Sequence, residues 1–307
     1  MSELAYIDWL RQRTPPDPRV PLGLGDDTAA LLTPPLSLIT TDMLLEGSCF
    51  LLEQAGPRRV GRKALAVNLS DIAAMAGTPV AAVVSLGLPR RGGLALAQEL
   101  YLGMRELADA FGVAIIGGDT NSWDGGLVVS VTLLGQPTGS GPVRRSGAKP
   151  GDWLLVTGPL GGSIHGKHLD FTPRVREAQA LHATADLHAM IDISDGLATD
   201  LAHLCTASGC SATLEAEALP IAAAVAAHPD SRSPLDHALH DGEDFELLVA
   251  VSPADGQRLI ETQPIAGVQL VKIGQFHPAI AGQAQLRLRD ATGEQPLQPR
   301  GWVHALE

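Results

Sequence analysis

Three short apolar runs in this chain break on carboxylates rather than on glycine or proline, and this repetition constrains the fold more than any other feature. They are Leu36-Ser37-Leu38-Ile39-Thr40-Thr41-Asp42, Val113-Ala114-Ile115-Ile116-Gly117-Gly118-Asp119-Thr120 and Met190-Ile191-Asp192-Ile193-Ser194-Asp195-Gly196. Their β-branched content reads as strand. Each delivers Asp at or near its end, which predicts carboxylates gathered along one edge of a sheet. Two like charges about 4 Å apart repel by roughly 4 kcal/mol at an effective dielectric near 20, so converging Asp side chains call for protons or a multivalent cation.

The 307 residues, 45% hydrophobic and 18% charged, suit one large or two ordinary soluble domains. A net charge of −12 with only 22 Lys and Arg excludes a nucleic-acid footprint. An anion bound by such a chain needs cation bridges rather than a lysine-rich pocket. Three cysteines with no C-x-x-C pair predict free thiols, neither a disulfide framework nor a zinc site. No run approaches a membrane span, and Met1-Ser2-Glu3-Leu4 lacks the basic and apolar regions of a leader, so the expected location is the cytoplasm.

Along the chain, a short amphipathic helix over 4–10 precedes a Pro-broken loop and the acidic pair of Gly23-Leu24-Gly25-Asp26-Asp27, ordinary turn chemistry that beside Asp42 becomes a ligand candidate. Residues 57–77 read as a helix in which Asn68 and Asp71, three apart, share a face. A strand over 80–88, a helix over 94–111, the Asp119 strand, a turn over 121–126 and a strand over 127–134 complete an alternating α/β first half. The Gly/Pro/Ser-rich stretch 135–151 marks the domain boundary, giving domains 1–138 and 139–307. In the second half, Gly161 to His168 nearly spells a phosphate loop. Its last position is His, which offers no hydroxyl to magnesium, and Asp170-Phe171-Thr172-Pro173 interrupts the helix that should follow, so a Gly-rich turn is expected. A helix follows Ser194-Asp195-Gly196, with Asp195 able to serve as its cap. His237 and His240 read as structural. The turn Asp241-Gly242-Glu243-Asp244-Phe245-Glu246 carries more carboxylates than solubility needs.

In order and spacing, from about residue 20 to Trp302, the series Gly-Leu-Gly-Asp-Asp27, Thr-Thr-Asp42, Lys63-Ala-Leu-Ala-Val-Asn-Leu-Ser-Asp71, Gly-Gly-Asp119-Thr, Arg145-Ser-Gly-Ala-Lys-Pro-Gly-Asp-Trp, Asp192-Ile-Ser-Asp-Gly and Gly242-Glu-Asp-Phe-Glu-Leu resembles the thiamine-monophosphate kinases. These belong to the aminoimidazole ribonucleotide synthetase-like superfamily with selenophosphate synthetase and a hydrogenase-maturation protein. The resemblance implies a two-domain α/β (α+β) fold, with an N-terminal sheet and helices forming an ATP/magnesium-binding and dimerisation domain. A C-terminal mixed sheet with helices would complete the nucleotide and substrate sites. It implies a homodimer, ATP as co-substrate, thiamine monophosphate as acceptor, and several Mg2+ ions. Position by position, Asp27, Thr40, Thr41, Asp42, Asp71, Asp119, Asp192 and Asp195 resemble the magnesium shell, with Asp42, Asp119 and Asp195 carrying catalysis. Tyr101, Gly118, Asp119, Arg145 and Ser194 would meet the nucleotide, and Cys49, Glu243 and Trp302 the acceptor.

This chain departs from the family in having Cys49 for a usual His, Asp241 for a usual Gly, and a shortened segment after Gly162. A sister ATP-using enzyme with another acceptor and a non-catalytic nucleotide-binding subunit are the alternative readings. The selenophosphate synthetase lacks support because no reactive Cys stands near the N-terminus. The hydrogenase-maturation protein lacks it because no Cys ends the chain.

Overall fold

The computed structural model describes residues 3–24 and 28–302. The chain divides into two compact units, Met1–Ile72 with Gly77–Pro137, and Ala73–Ala76 with Thr138–Glu307. The first contains α1 (Glu3–Arg11), β1 (Leu38–Leu45), α2 (Leu52–Ala55), α3 (Pro57–Ala74), β2 (Thr78–Pro89), α4 (Gly93–Phe111), β3 (Ala114–Trp123) and β4 (Val128–Gln136). Its sheet has the order β1-β4-β2-β3, with β2 and β3 parallel across the α4 connection and the other pairs antiparallel.

The α3 and α4 helices cross at backbone distance because glycine stands at both contact points. A Cβ on Gly61 would lie 2.0 Å from the Leu100 carbonyl oxygen, and one on Gly103 1.8 Å from that of Arg58. Around this crossing Leu65, Leu69, Leu100 and Met104 are buried.

Two of the three expected strand ends are strand interiors. β1 runs through Asp42, paired with Val131, to Leu45, paired with Val128. β3 runs through Asp119 to Trp123, so the first half of the turn expected over 121–126 is strand, held by Asn121↔Gly87 and Trp123↔Pro89. Polar residues did not stop these strands because the partner strand keeps offering ladder hydrogen bonds. The expected gathering along one edge also fails. Asp42 and Asp119 lie on opposite edge strands of the four-stranded sheet, and Asp192 belongs to a different sheet.

The second unit contains β5 (Trp153–Thr157), α5 (Lys167–Asp170), α6 (Val175–Thr184), β6 (Leu187–Asp192), α7 (Leu197–Ser208) and β7 (Cys210–Glu215). It continues with α8 (Ala223–Ala227), α9 (Pro234–His240), β8 (Leu247–Val251), α10 (Pro253–Thr262), β9 (Leu270–Pro278), β10 (Leu286–Asp290) and β11 (Gly293–Pro296). Its seven-stranded mixed sheet has the order β11-β10-β7-β9-β5-β8-β6, with β7 and β10 parallel. β8 is buried along its whole length, which explains its unbroken Leu-Leu-Val-Ala-Val run. Leu201 and Leu204 of α7 pack with Leu154, Ile191, Leu248 and Ile273 of the sheet. After the Gly-rich turn only a 3₁₀ turn (Ser163–His165) and the four-residue α5 form, as the interrupted sequence predicts. The three cysteines are free thiols, and among the described residues no helix is long and apolar enough to cross a membrane.

The helix crossing makes a test. Replacing Gly by Ala in a helix interior gains about 1 kcal/mol of intrinsic propensity. Overpacking costs about 1–3 kcal/mol, and the obstacle here is backbone. Gly61→Ala should therefore lower the denaturant midpoint, and a raised midpoint would show that the helices are not in close contact.

Candidate active site

In the first unit, strand alternation sorts the Thr-Thr-Asp motif. Thr40 and Asp42 lie on the face of β1 that includes buried Leu38 and Leu44, while Thr41 lies on the exposed face with Ile39, Met43 and Leu45. Thr40 Oγ1 donates to Asp71 Oδ2 at 2.5 Å, joining β1 to α3. Thr41 Oγ1 instead donates to the Val131 carbonyl at 3.1 Å and accepts from Thr132 Oγ1 at 3.0 Å. The structure thus brings Thr40, Asp42 and Asp71 to one side of the strand and Thr41 to the other. Asp27 lies outside the described residues.

Tyr101, Gly118 and Asp119 surround one cavity of about 430 Å³, closed by Tyr6 and Leu10 of α1, Met104 of α4 and the adjoining stretches of β2 and β3. The Tyr101 hydroxyl meets Thr14 Oγ1 at 3.1 Å, and its ring packs edge-on to Trp9 at 5.4 Å. A Cβ at position 118 would stand 1.9 Å from the Val84 carbonyl, so only glycine fits against β2 there. Asn68 is wholly buried, with its amide donating to the Ala64 carbonyl at 3.0 Å and its Oδ1 lacking a hydrogen-bond partner. Cys49 is held through its backbone, whose carbonyl accepts from Nζ of the wholly buried Lys63 at 2.9 Å.

In the second unit, β6 ends at buried Asp192, and residues 194–196 turn their amides toward α7. The N–H groups of Ser194, Asp195 and Gly196 donate to Asp200 Oδ2 at 3.1, 3.0 and 3.1 Å. Asp195 is therefore not the cap of α7: the N-cap is Gly196, which has no side chain to offer. Burial first, and then the charges of Asp192 and Asp195, push the Asp200 carboxyl up to about 8 against the pull of the N–H bonds. Ligand atoms of Asp195, Asp200 and His203 lie within 4.8 Å of one another. Sequence reasoning missed Asp200 and His203. The signal was present as a carboxylate and an imidazole three apart on the helix behind the Asp-Ile-Ser-Asp-Gly turn.

The acidic turn and the C-terminal segment fasten to the same loop. Glu243 N–H donates to the Ser194 carbonyl at 2.7 Å, Phe245 N–H to that of Ile193 at 2.8 Å, and Trp302 N–H to that of Asp195 at 3.0 Å. Ser194, Asp195, Glu243 and Trp302 are thereby brought together, with Glu243 in left-handed backbone at φ +63°. Gly301 is required by the same approach, since a Cβ there would lie 2.0 Å from the Asp195 carbonyl. Arg145 is exposed, and its segment is pinned by Ser208 Oγ, which donates to the Arg145 carbonyl at 3.0 Å and accepts from Gly147 and Ala148 N–H at 3.2 Å.

Three of the four carboxylates in the acidic turn fasten the neighbouring Gly-rich turn. Gly161 N–H donates to Asp244 and Gly162 N–H to Asp241, each at 2.8 Å. Those amides face protein carboxylates, which confirms a Gly-rich turn in place of a phosphate loop. Glu246, 1% exposed, takes both arms of Arg174 at 2.8 and 2.9 Å, Lys167 Nζ at 2.9 Å and Thr157 Oγ1 at 2.9 Å. Asp241 also accepts from Arg232 at 2.6 Å and pairs with His237 Nδ1 at 2.9 Å.

The description "AIR synthase related protein, N-terminal domain" matches residues 25–136, and its C-terminal counterpart matches residues 149–279. The chain therefore belongs to the AIR synthase-related family. A thiamine-monophosphate kinase of Rhodopirellula baltica is 40% identical, the match covering 98% of this chain and 97% of the relative. The crystal structure of thiamine-monophosphate kinase from Stenotrophomonas maltophilia K279a superposes with a TM-score of 0.82 at 31% identity, covering 94% of this chain and 96% of that one. A structure described as AaThiL complexed with AMPPCP and TMP shares the fold at TM-score 0.74 and 24% identity, over 99% and 97% of the two chains. Within the AIR synthase-related family, this chain is a member of the thiamine-monophosphate kinases.

The clasp around Asp241 predicts a pH dependence. Burial works against the His237 imidazolium, but hydrogen bonds to Asp241 and Asp230 outweigh it and raise the pKa above the ordinary 6.5. A raised pKa means the stabilisation is fully present below about pH 6.5 and is lost as pH rises through the folded value. His237→Gln should lower the melting temperature more at pH 6 than at pH 8.5. An equal loss at both would show that His237 is not charged in the clasp.

Proposed function

We propose that this chain transfers the γ-phosphate of ATP to thiamine monophosphate, releasing ADP and thiamine diphosphate. Support comes from a family relative named for this activity at 40% identity over nearly the whole chain. The AaThiL structure, which carries AMPPCP and TMP, shares the fold. The observation that carries the reading is a donor set dominated by oxygens: Thr40, Asp42 and Asp71 on one side of β1, and the Asp192/Asp195 pair beside Asp200, with the His203 imidazole near Asp195 and Asp200.

This donor set fits magnesium, which prefers hard oxygen ligands and retains waters. The charges of Asp192 and Asp195, which add to burial in raising the Asp200 carboxyl, are charges that a cation would relieve. Asp27, Thr40, Thr41, Asp42, Asp71, Asp119, Asp192 and Asp195 would hold the ions. Bound there, Mg2+ supplies neutralisation of the charge on the transferring phosphate. Because the side chain of Thr41 is engaged with β4, its contribution would be its backbone. Tyr101, Gly118, Arg145 and Ser194 would hold the nucleotide, with Arg145 adding a guanidinium fork on phosphate. Cys49, Glu243 and Trp302 would face the acceptor, where the carboxylate of Glu243 suits a cationic thiazolium.

No general base is required. The acceptor phosphate is already largely ionised at pH 7, its second pKa being about 6, so its oxygen can attack in line. The protein's task is then to align two phosphates and exclude water. Ile39, Met43 and Leu45 expose an apolar face on edge strand β1, which supports a homodimer formed through the N-terminal strands. Cytoplasmic residence accords with such a metabolic role.

Incubation with ATP, Mg2+ and thiamine monophosphate should yield ADP and thiamine diphosphate by mass spectrometry. Asp119→Asn should keep its melting temperature and lose roughly 100-fold or more in turnover, the usual scale for removing one charged stabiliser. Glu243→Gln should raise the KM for thiamine monophosphate more than that for ATP. Absence of thiamine diphosphate from the wild-type reaction overturns the assignment.

A further inference from the structure

Three successive amides ahead of α7 converge on one oxygen of a carboxylate that lies inside the helix rather than before it. Asp200 is the fourth residue of α7, and two of its three donors, Ser194 and Asp195, precede the helix and its N-cap Gly196. An ordinary capping residue stands ahead of the helix and serves the amides that follow it. Asp200 does the reverse and fixes the loop that precedes its own helix.

The carbonyls of the same loop are taken from other directions. Glu243 N–H holds the Ser194 carbonyl, Trp302 N–H holds that of Asp195, and Phe245 N–H holds that of Ile193. Successive peptide planes are thus fastened through both their N–H and C=O groups. The direction in which the Ser194 and Asp195 side chains leave the backbone follows from those planes. Asp200 itself is 2% exposed.

We propose that Asp200 is a positioning residue, which aims Asp195 and Ser194 by gathering three amides on one buried carboxylate oxygen and acts on the reaction only through them; this rests on the functional reading above. Ala at 200 leaves three amides without their acceptor. Asn keeps one oxygen in place and can retain the loop with weaker, uncharged bonds. The two variants therefore separate loss of the acceptor from loss of the charge.

The test compares wild type, Asp200→Ala and Asp200→Asn by hydrogen exchange at residues 194–196, by Mn2+ binding in the presence of AMPPCP, and by steady-state kinetics. Asp200→Ala should exchange those amides faster while the β8 amides stay protected. It should bind Mn2+ about tenfold or more weakly, as when groups that orient ligands are removed, and lose kcat with the KM for thiamine monophosphate nearly unchanged. Asp200→Asn should recover most of the exchange protection and of kcat. Wild-type exchange and Mn2+ affinity in Asp200→Ala overturn the proposal. If Asp200→Ala does not fold, Asp200→Ser carries the same comparison. If wild type forms no thiamine diphosphate, the functional reading fails, while the exchange and Mn2+ measurements still decide the role of Asp200.

Discussion

Carboxylates held close together repel, and the local architecture of the second unit is shaped by that repulsion. Burial first, and then the charges of Asp192 and Asp195, push the Asp200 carboxyl up to about 8, even though three amides point at it. Nearby carboxylates can be retained only where backbone dipoles, ion pairs or cations offset them. The amides of residues 194–196 supply part of that offset, and a divalent cation would supply the rest.

The same residue type serves two different purposes a few residues apart. Asp241, Asp244 and Glu246 are turned toward Gly162, Gly161, Lys167 and Arg174 and lock one turn against another. Asp244 is so deeply buried that its carboxyl rises to about 7 despite the opposing pull of Lys167 and the Gly161 amide. Glu243, between them, takes a left-handed backbone and lies beside Ser194. Asp241, one of the family departures, thus works as a clasp with His237 and Arg232. The shortened segment after Gly162 is fastened by that clasp and by Ser163 Oγ, which donates to the Gly242 carbonyl at 2.5 Å.

Element type was legible wherever apolar periodicity was strong. The helices over 57–74 and 93–111 and the strands around Val84 and Ile191 match the sequence expectation closely. Strand ends were misread where polar residues lie within a continuing ladder, as at Asp42 and Asp119, because the partner strand that carries the ladder is remote in sequence. The Asp-Ile-Ser-Asp-Gly motif was visible, but its support was not. Asp200 sits on a helix where a lone Asp in the first turn reads as a favourable charge at the helix N-terminus. Only the folded loop shows three amides meeting it. The Gly61 and Gly103 contacts were likewise invisible, since a glycine within a helix pattern looks like a weakness until the neighbouring backbone is placed.

The central claim is that these Asp-bearing strands and turns form magnesium sites for phosphoryl transfer. Anomalous diffraction from crystals grown with Mn2+, AMPPCP and thiamine monophosphate tests it most directly. The account predicts manganese peaks at Asp42 and Asp71, at Asp119, and at Asp192 and Asp195. Nucleotide bound with no manganese at any of these carboxylates would contradict it.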